Sequence, residues 1–284
     1  MPPTWFTHAL SASCESRFAE LDGTPVHYLG WNLADTTKPG LLFVHGFRAH
    51  ARWWSFVAPF FLSRYRVVAM DFPGMGDSAA RAAYDWIDFS RSIRAVLEHA
   101  GLGRSTLVGH SFGGSHVARA CYEYPELVER AVIIDSYIPV LGHVHRPPLM
   151  EVRPKNVYPT YEAARARFRL VPEQNSAADY ILDYIAYHSL KEVSGGWMWK
   201  FDERFVPRQI VPETAALIAV LKGIRCPVTY VYGDQSVVVS RQLAHAIVEQ
   251  IPDGHGPIAI PQSHHHVMLD QPLSLVAALK GVLY

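Results

Sequence analysis

The chain has 284 residues, which is long enough for one large α/β domain with a sizeable core. Hydrophobic residues make up 49% of it and aromatic residues 12%, and this composition excludes a disordered chain. The 26 basic residues balance the 26 acidic ones, so the charge predicts neither nucleic acid nor an anionic membrane as a partner.

The cysteine usage and the amino-terminal segment bear on the compartment. Cys14, Cys121 and Cys226 are widely spaced, and no Cys-x-x-Cys pair occurs, which argues against a disulfide scaffold or a zinc ribbon. The first residues lack the basic and apolar regions of a signal peptide. No stretch reaches the ~18 uninterrupted apolar residues of a membrane span, and we expect a cytoplasmic protein.

The first part of the chain reads as a hairpin followed by alternating strands and helices. Asp22-Gly23 lies between two strand-like segments and favours a tight turn. From there to residue 134, short apolar strands alternate with amphipathic helices, which predicts a mostly parallel sheet with helices on both faces. The predicted strands are 41–44, 66–70, 106–108 and 131–134, and the predicted helices are 51–62, 85–99 and 113–124.

The alternation stops after residue 136 and resumes near residue 223. The intervening sequence is helix-like at 161–169 and 177–189, and we expect an all-helical insertion that sits above the sheet as a lid. We therefore predict a core domain of residues 1–136 and 223–284 and a helical cap of residues 137–222. The later elements are strands 228–232 and 257–260 and helices 241–250 and 272–282.

The strongest motif is Gly109-His110-Ser111-Phe112-Gly113, a Gly-x-Ser-x-Gly sequence between a predicted strand and a predicted helix. Glycines on both sides of the serine allow a turn in which a β-carbon would clash. Such a turn lifts the Ser111 hydroxyl clear of the sheet at a helix N-terminus, which favours developing negative charge. A chance Gly/Ser turn is the alternative, but the strand–turn–helix setting favours a nucleophile.

With this motif, the chain from residue 18 onward resembles the α/β-hydrolase family. Four further segments match in order: HGF at 45–47, DFPGMGDS at 71–78, the insertion, and a late histidine before Asp270-Gln271-Pro272. The resemblance implies an eight-stranded, mostly parallel sheet with a helical cap inserted after strand 6. It also implies a serine hydrolase that cleaves a carboxylic ester or a related acyl compound through an acyl-enzyme.

The resemblance also assigns the groups that would stabilise the oxyanion. They are the backbone N–H groups of Phe47 and Phe112, the second of which follows the nucleophile Ser111. His45 lies in the same loop, and we expect its imidazole to brace the loop, with contact to substrate as the alternative.

The general base is expected among three consecutive histidines, His264, His265 and His266. In the family the catalytic histidine commonly stands five residues before an acidic residue such as Asp270, which favours His265. His264 and His266 stay as alternatives. A metal site is disfavoured, because three consecutive residues cannot easily turn three imidazoles toward one ion.

The acid departs from the family pattern. Relatives usually carry it after the seventh strand in a Gly-x-x-Asp sequence, but Gly233-Asp234-Gln235-Ser236 puts a serine at that position. A serine cannot stabilise an imidazolium as a buried carboxylate does. Asp135, at the end of the sixth strand, is the favoured replacement, since some relatives take the acid from that strand end. Asp234 is the alternative acid, and a Ser–His dyad is the third possibility.

Several aromatic and apolar residues are candidates for the substrate pocket. Trp197, Trp199 and Phe201 have period-two spacing, so their rings would share one side of an extended segment. They would either line an acyl pocket or pack the cap onto the core. Tyr137 and Ile138 follow a strand at the active-site end and are further candidates.

These residues predict an enzyme with a small-molecule acyl substrate. A ligand-binding protein on a degraded hydrolase scaffold is an alternative, motivated by Ser236 at the acid position. A C–C bond hydrolase and a cofactor-free perhydrolase are alternatives of the same fold. We expect no cofactor and no metal, because the sequence carries neither a phosphate-binding glycine loop nor a metal-ligand motif. The oligomeric state stays open.

Overall fold

A computed structural model describes residues 1–142, 156–174, 177–205 and 212–284. The strands of these residues are β1 (Glu15–Leu21), β2 (Thr24–Trp31), β3 (Gly40–Val44), β4 (Arg66–Met70), β5 (Ser105–His110), β6 (Val128–Ile134), β7 (Leu190–Val193), β8 (Gly196–Trp199), β9 (Val228–Gly233) and β10 (Gly254–Ile260). The α-helices are α1 (Thr4–Leu10), α2 (Trp86–His99), α3 (Phe112–Glu123), α4 (Tyr161–Arg165), α5 (Asp179–His188), α6 (Thr214–Gly223), α7 (Arg241–Glu249), α8 (Val267–Asp270) and α9 (Pro272–Leu283).

Eight strands form one sheet in the order β1-β2-β4-β3-β5-β6-β9-β10. β2 pairs antiparallel with β1 and β4, and all the other pairs are parallel. The predicted mostly parallel eight-stranded sheet is therefore confirmed. Because the carboxyl ends of parallel strands meet at one edge, the loops after β3, β5, β6, β9 and β10 converge there.

Helices cover both faces of the sheet. Every residue of β3, β4 and β5 is buried, as expected for central parallel strands between two layers of helices. One face packs against α2, α3 and α7, and the other packs against α1, α9 and the segment after β3. None of the described helices has the length and apolar character to span a membrane, and the cytoplasmic location stays a prediction.

Two regions before residue 65 differ from the sequence prediction. The expected helix at 51–62 forms two short 3₁₀ helices, Ala51–Trp54 and Ala58–Phe61. Pro59 at the start of the second one lacks the N–H that a continuous helix would need. Helix α1 was not predicted, because seven residues are too few to show a clear helical period. The Asp22-Gly23 turn forms as expected, with φ of 49° and 76°.

The described part of the insertion lies between β6 and β9. It contains α4, α5, α6 and an antiparallel hairpin of β7 and β8, so it is not all-helical. The hairpin forms because Gly195 and Gly196 adopt φ of 90° and 139°, which a tight turn requires and other residues rarely adopt. Residues 143–155, 175–176 and 206–211 of the predicted cap lie outside the described residues, and the division into core and cap stays a prediction.

Candidate active site

The candidate nucleophile Ser111 lies in a sharp turn between β5 and α3. Its φ of 52° and ψ of −121° are unusual for a residue with a side chain, and its N–H donates to Ile134 O at 2.9 Å. The flanking glycines are required here. A β-carbon on Gly109 would lie 2.7 Å from Gly113 O, and one on Gly113 would lie 2.8 Å from Val44 O. The turn therefore holds the serine at the carboxyl edge of the sheet.

The structure brings three predicted residues into one chain of hydrogen bonds. Ser111 Oγ lies 2.9 Å from Nε2 of His265, and Nδ1 of His265 lies 2.8 Å from Oδ1 of Asp135. His265 is 4% exposed and Asp135 is fully buried. A carboxylate at Nδ1 keeps the proton on that nitrogen, so Nε2 is left to accept the proton of the serine. The arrangement is that of a nucleophile, a base and an orienting acid.

The carboxylate of Asp135 accepts three hydrogen bonds. Oδ1 accepts from His265 and also from the hydroxyl of Ser236 at 2.7 Å, and Oδ2 accepts from Gly233 N at 2.9 Å. Asp135 has a φ of 44°, and its N–H donates to Val231 O. The acid is thus fixed by β9 and the loop after it. No local sequence signal indicates this role of Ser236, because in the sequence it stands where an acid is missing.

The alternative acid, Asp234, lies away from the imidazole. It is exposed, its Oδ1 accepts from Ser263 N at 3.2 Å, and its N–H donates to Ile260 O at 3.1 Å. These bonds join the loop after β9 to the loop after β10. The structure therefore brings Asp135, and not Asp234, to His265.

The two histidines beside His265 have other surroundings. Oδ2 of Asp270 lies 3.3 Å from Nδ1 of His264 and accepts from its N–H at 2.7 Å. The ring of His266 packs on Trp53 at 5.3 Å between centroids. Burial, and then the neighbouring His265, hold the pKa of His266 well below its usual value. Among the three, His265 is the one whose ring contacts both the serine and the buried carboxylate.

The side chains of the two residues that carry the predicted oxyanion donors lie near each other. The ring centroids of Phe47 and Phe112 are 6.1 Å apart. Phe112 is the first residue of α3, and the N–H groups of a first helical turn have no acceptor within the helix. A β-carbon on Gly46 would lie 3.3 Å from Ser111 Cβ, so the loop that carries Phe47 runs directly against the nucleophile turn.

His45 braces this loop. Its Nδ1 donates to Gly46 O at 2.6 Å, and its Nε2 accepts from Phe72 N at 3.0 Å. The side chain is buried, and burial lowers the pKa of His45 and keeps the ring neutral. Both ring nitrogens are therefore occupied, and neither is left for a substrate.

The two candidate tryptophans pack within the insertion. The ring of Trp197 lies 5.4 Å from that of Tyr161, and the ring of Trp199 lies 6.0 Å from that of Phe168. Phe201, the third aromatic residue of the series, forms a β-bridge with the loop after β4. These contacts give the aromatic segment a packing role in the insertion and in its attachment to the core.

Apolar side chains border the site on the sheet side and beside the oxyanion loop. Ile138 is part of the buried core, and Tyr137 packs against that core. Both residues follow Asp135 in the chain. Phe205 of the insertion lies 5.5 Å from the rings of both Phe47 and Phe112. Contact of Tyr137 and Ile138 with substrate stays a prediction.

Two residues with no predicted role hold the loop that carries the candidate base. Nε2 of His110 donates to His265 O at 2.9 Å. Gln174, from the insertion, accepts from His266 N at 3.0 Å and donates to Oδ1 of Asp270 at 2.6 Å. His110 is a variable position of the motif, and Gln174 is 92 residues from His266 in sequence. Neither contact carries a local sequence signal.

Two groups of described side chains could hold a metal ion. They are His110, His265 and His266, and His27, Asp71 and Asp77. In the first group both nitrogens of His265 are already hydrogen bonded. In the second, Asp71 accepts from His27 at 2.7 Å and from Asp77 N at 2.8 Å. Hydrogen bonds thus account for His265 and for Asp71, and the expected absence of a metal stays a prediction.

Comparison with known proteins identifies the family. A sequence profile described as the alpha/beta hydrolase fold matches residues 39–272. The chain belongs to the alpha/beta hydrolase family. A serine hydrolase-like protein of Danio rerio is 24% identical to this family member over 266 residues, which are 86% of this chain and 81% of that protein. Human epoxide hydrolase 4 is 30% identical over 130 residues, covering 45% of this chain and 35% of that protein.

Solved structures of a thioesterase domain and of a carboxylesterase are similar over nearly the whole chain. The thioesterase domain from the curacin biosynthetic pathway has a TM-score of 0.78 at 21% identity and covers 94% of this chain and 99% of its own. A carboxylesterase from Bacillus subtilis has a TM-score of 0.72 at 20% identity, and the match covers 98% of this chain and 95% of the carboxylesterase. At such identities the likeness shows the fold.

Proposed function

We propose that this alpha/beta hydrolase is a serine hydrolase that cleaves a carboxylic ester or a related acyl compound through an acyl-enzyme. The observation that carries the proposal is the unbroken chain from Ser111 Oγ through His265 to Asp135, with contacts of 2.9 and 2.8 Å. Each residue has the surroundings its role needs. The serine lies in a strained turn at the sheet edge, the imidazole is nearly buried, and the carboxylate is fully buried.

The proposed reaction starts with attack of Ser111 Oγ on the acyl carbon, while the proton of the hydroxyl passes to Nε2 of His265. Asp135 keeps Nδ1 protonated and stabilises the imidazolium. When the tetrahedral intermediate collapses, the bond to the alcohol breaks, the alcohol takes the proton from Nε2, and the acyl group stays on Oγ. Water then attacks the acyl-enzyme with the same base, and the carboxylic acid leaves.

The developing oxyanion is assigned to the N–H groups of Phe47 and Phe112. One donor of this kind typically contributes about 2.7–4 kcal/mol to lowering the barrier. The start of α3 adds a favourable dipole for negative charge at the same place.

The binding-protein alternative loses its main support. It rested on Ser236 at the usual acid position, but Asp135 contacts His265 instead. The names of two structurally similar proteins, a carboxylesterase and a thioesterase domain, agree with an acyl substrate. A C–C bond hydrolase or a perhydrolase would use the same serine, and a substrate survey separates them from an esterase.

The test is hydrolysis of p-nitrophenyl acetate and p-nitrophenyl butyrate by the wild type and by Ser111→Ala. We expect turnover by the wild type and a loss of about 10⁴-fold or more in kcat in the variant. Thermal melting of the variant shows that it is folded. A folded wild type that hydrolyses no ester or thioester would contradict the proposal.

A further inference from the structure

Ser236 lies beside the acid Asp135, and the structure gives it defined contacts. Its hydroxyl lies 2.7 Å from Oδ1 of Asp135. The same hydroxyl oxygen lies 3.1 Å from Val238 N and 3.2 Å from Val239 N. The side chain therefore connects the loop after β9 to the acid at the end of β6.

The orientation of this hydroxyl follows from its partners. Val238 N–H and Val239 N–H can only donate, so the oxygen of Ser236 is their acceptor. Its proton then points to the carboxylate of Asp135, which can only accept while ionised. Oδ1 of Asp135 thus receives one hydrogen bond from Ser236 and one from His265, and the serine limits the positions that this oxygen can take.

The surroundings of position 236 would also suit a carboxylate. The two N–H groups aimed at position 236 are donors of the kind that stabilise an anion at the start of a loop. Ser236 Oγ and His265 Nδ1 contact the same oxygen of Asp135. A carboxylate at position 236 would extend one bond farther than the hydroxyl does, toward the imidazole.

We propose that Ser236 is a positioning residue of the Ser111–His265–Asp135 site. Its hydroxyl holds the acid against the base, and position 236 can itself carry the acid when residue 135 cannot. The inference rests on the proposed function, since it concerns the same base and acid. It adds a fourth member to the hydrogen-bonded chain and a reason for the serine at that position.

The first test compares Ser236→Ala with Ser236→Thr. Loss of one hydrogen bond to a carboxylate is expected to lower kcat about tenfold in the alanine variant, with KM unchanged. The threonine variant keeps the hydroxyl and should retain most of the rate. The matched control is Ser240→Ala, because Ser240 also accepts a backbone N–H, that of Leu243, in the same loop. This control should lose stability and keep kcat.

The second test moves the acid. Asp135→Asn keeps a residue type that tolerates the positive φ at this position but removes the charge, and its kcat should fall strongly. When Ser236→Asp is added to that variant, kcat should rise at least tenfold above that of Asp135→Asn alone. A folded double variant no more active than Asp135→Asn alone would overturn the proposal.

A third readout does not depend on turnover. The proton between His265 and Asp135 should give a far-downfield ¹H NMR resonance in the wild type. We expect that signal to shift in Ser236→Ala, to stay in Ser240→Ala and to return in the double variant. A protein that hydrolyses no substrate yet shows this pattern would refute the proposed function and keep the role of Ser236. Identical spectra and rates for Ser236→Ala and Ser240→Ala would refute that role.

Discussion

Asp135 and Asp234 follow neighbouring strands of the same sheet, and only one of them contacts the candidate base. Asp135 is fully buried and lies 2.8 Å from His265 Nδ1, whereas Asp234 accepts a hydrogen bond from Ser263 N. A charge affects an imidazolium strongly only at short range in a buried setting. The catalytic contribution of the two carboxylates should therefore differ sharply.

The prediction at this scale is a comparison of Asp135→Asn and Asp234→Asn. The first removes the charge beside His265 and should lower kcat by about 10³- to 10⁴-fold. The second keeps the oxygen that accepts from Ser263 and should change kcat less than threefold. Steady-state kinetics on p-nitrophenyl butyrate, with melting curves for both variants, gives the answer. A larger loss in Asp234→Asn would contradict the assignment of the acid.

Motif residues could be predicted individually, whereas for the acid the sequence favoured Asp135 and left Asp234 as the alternative. Ser111 and His265 follow from local sequence and from spacing to Asp270. The choice between Asp135 and Asp234 depends on how two loops after different strands meet, and this is a property of the folded sheet. Ser236 shows the same limit, because a serine that supports an acid and a serine that has replaced one look alike in sequence.

At the scale of elements, the insertion and the loop of the candidate base are joined by Gln174. Its amide bonds to His266 N and to the side chain of Asp270, and Asp270 in turn accepts from His264 N. The loop that bears His265 is thus tied at its start and at its end. A movement of the insertion should therefore change the position of the His265 imidazole.

Gln174→Ala removes this connection, and we expect kcat/KM to fall about tenfold and the free energy of unfolding to fall by about 1–3 kcal/mol. Gln271→Ala is the matched control, because the side-chain amide of Gln271 donates to Gln262 O at 3.3 Å, near the same loop. Kinetics and urea unfolding of the two variants test the idea. Equal activity in both would show that the insertion does not position the base.

Regular elements were more predictable than irregular ones. The eight strands of the main sheet and α2, α3, α7 and α9 were located from turn signals and hydrophobic periodicity, to within a few residues at each end. The prediction of a single helix at 51–62 was wrong because Pro59 interrupts the segment. Helix α1 was missed because it is short. The β7–β8 hairpin depends on two glycines whose turn conformation a helix prediction does not weigh.

For the whole molecule, buried histidines link stability to pH. The pKa is lowered, chiefly by burial, for His45, His50, His110, His116 and His266. For His50 it falls to about 3, against about 6.5 in an unfolded chain. Below about pH 6.5 the unfolded chain therefore binds more protons than the folded one. The stability that these neutral histidines contribute is present in full above that pH. It decreases as the pH falls toward their pKa values in the folded protein.

His116→Phe tests this dependence at one site. The ring of His116 packs among aromatic rings, 4.2 Å from Trp86 between centroids, so phenylalanine suits the position. Between pH 7.5 and pH 5.5 the variant should lose about 1.4 kcal/mol less unfolding free energy than the wild type, since one titration is absent. Urea unfolding at both pH values measures it. The exposed His245→Gln should behave as the wild type, and an equal loss in all three proteins would contradict the account.

In the proposed reaction, Ser111 becomes covalently attached to the acyl group of the substrate. The most direct measurement is intact-protein and peptide mass spectrometry after treatment with a fluorophosphonate. We predict a single adduct on the peptide that contains Ser111, absent from Ser111→Ala and formed much more slowly in Asp135→Asn. A folded wild type that gains no adduct, or gains it on a different residue, would contradict the assignment of this protein as a serine hydrolase.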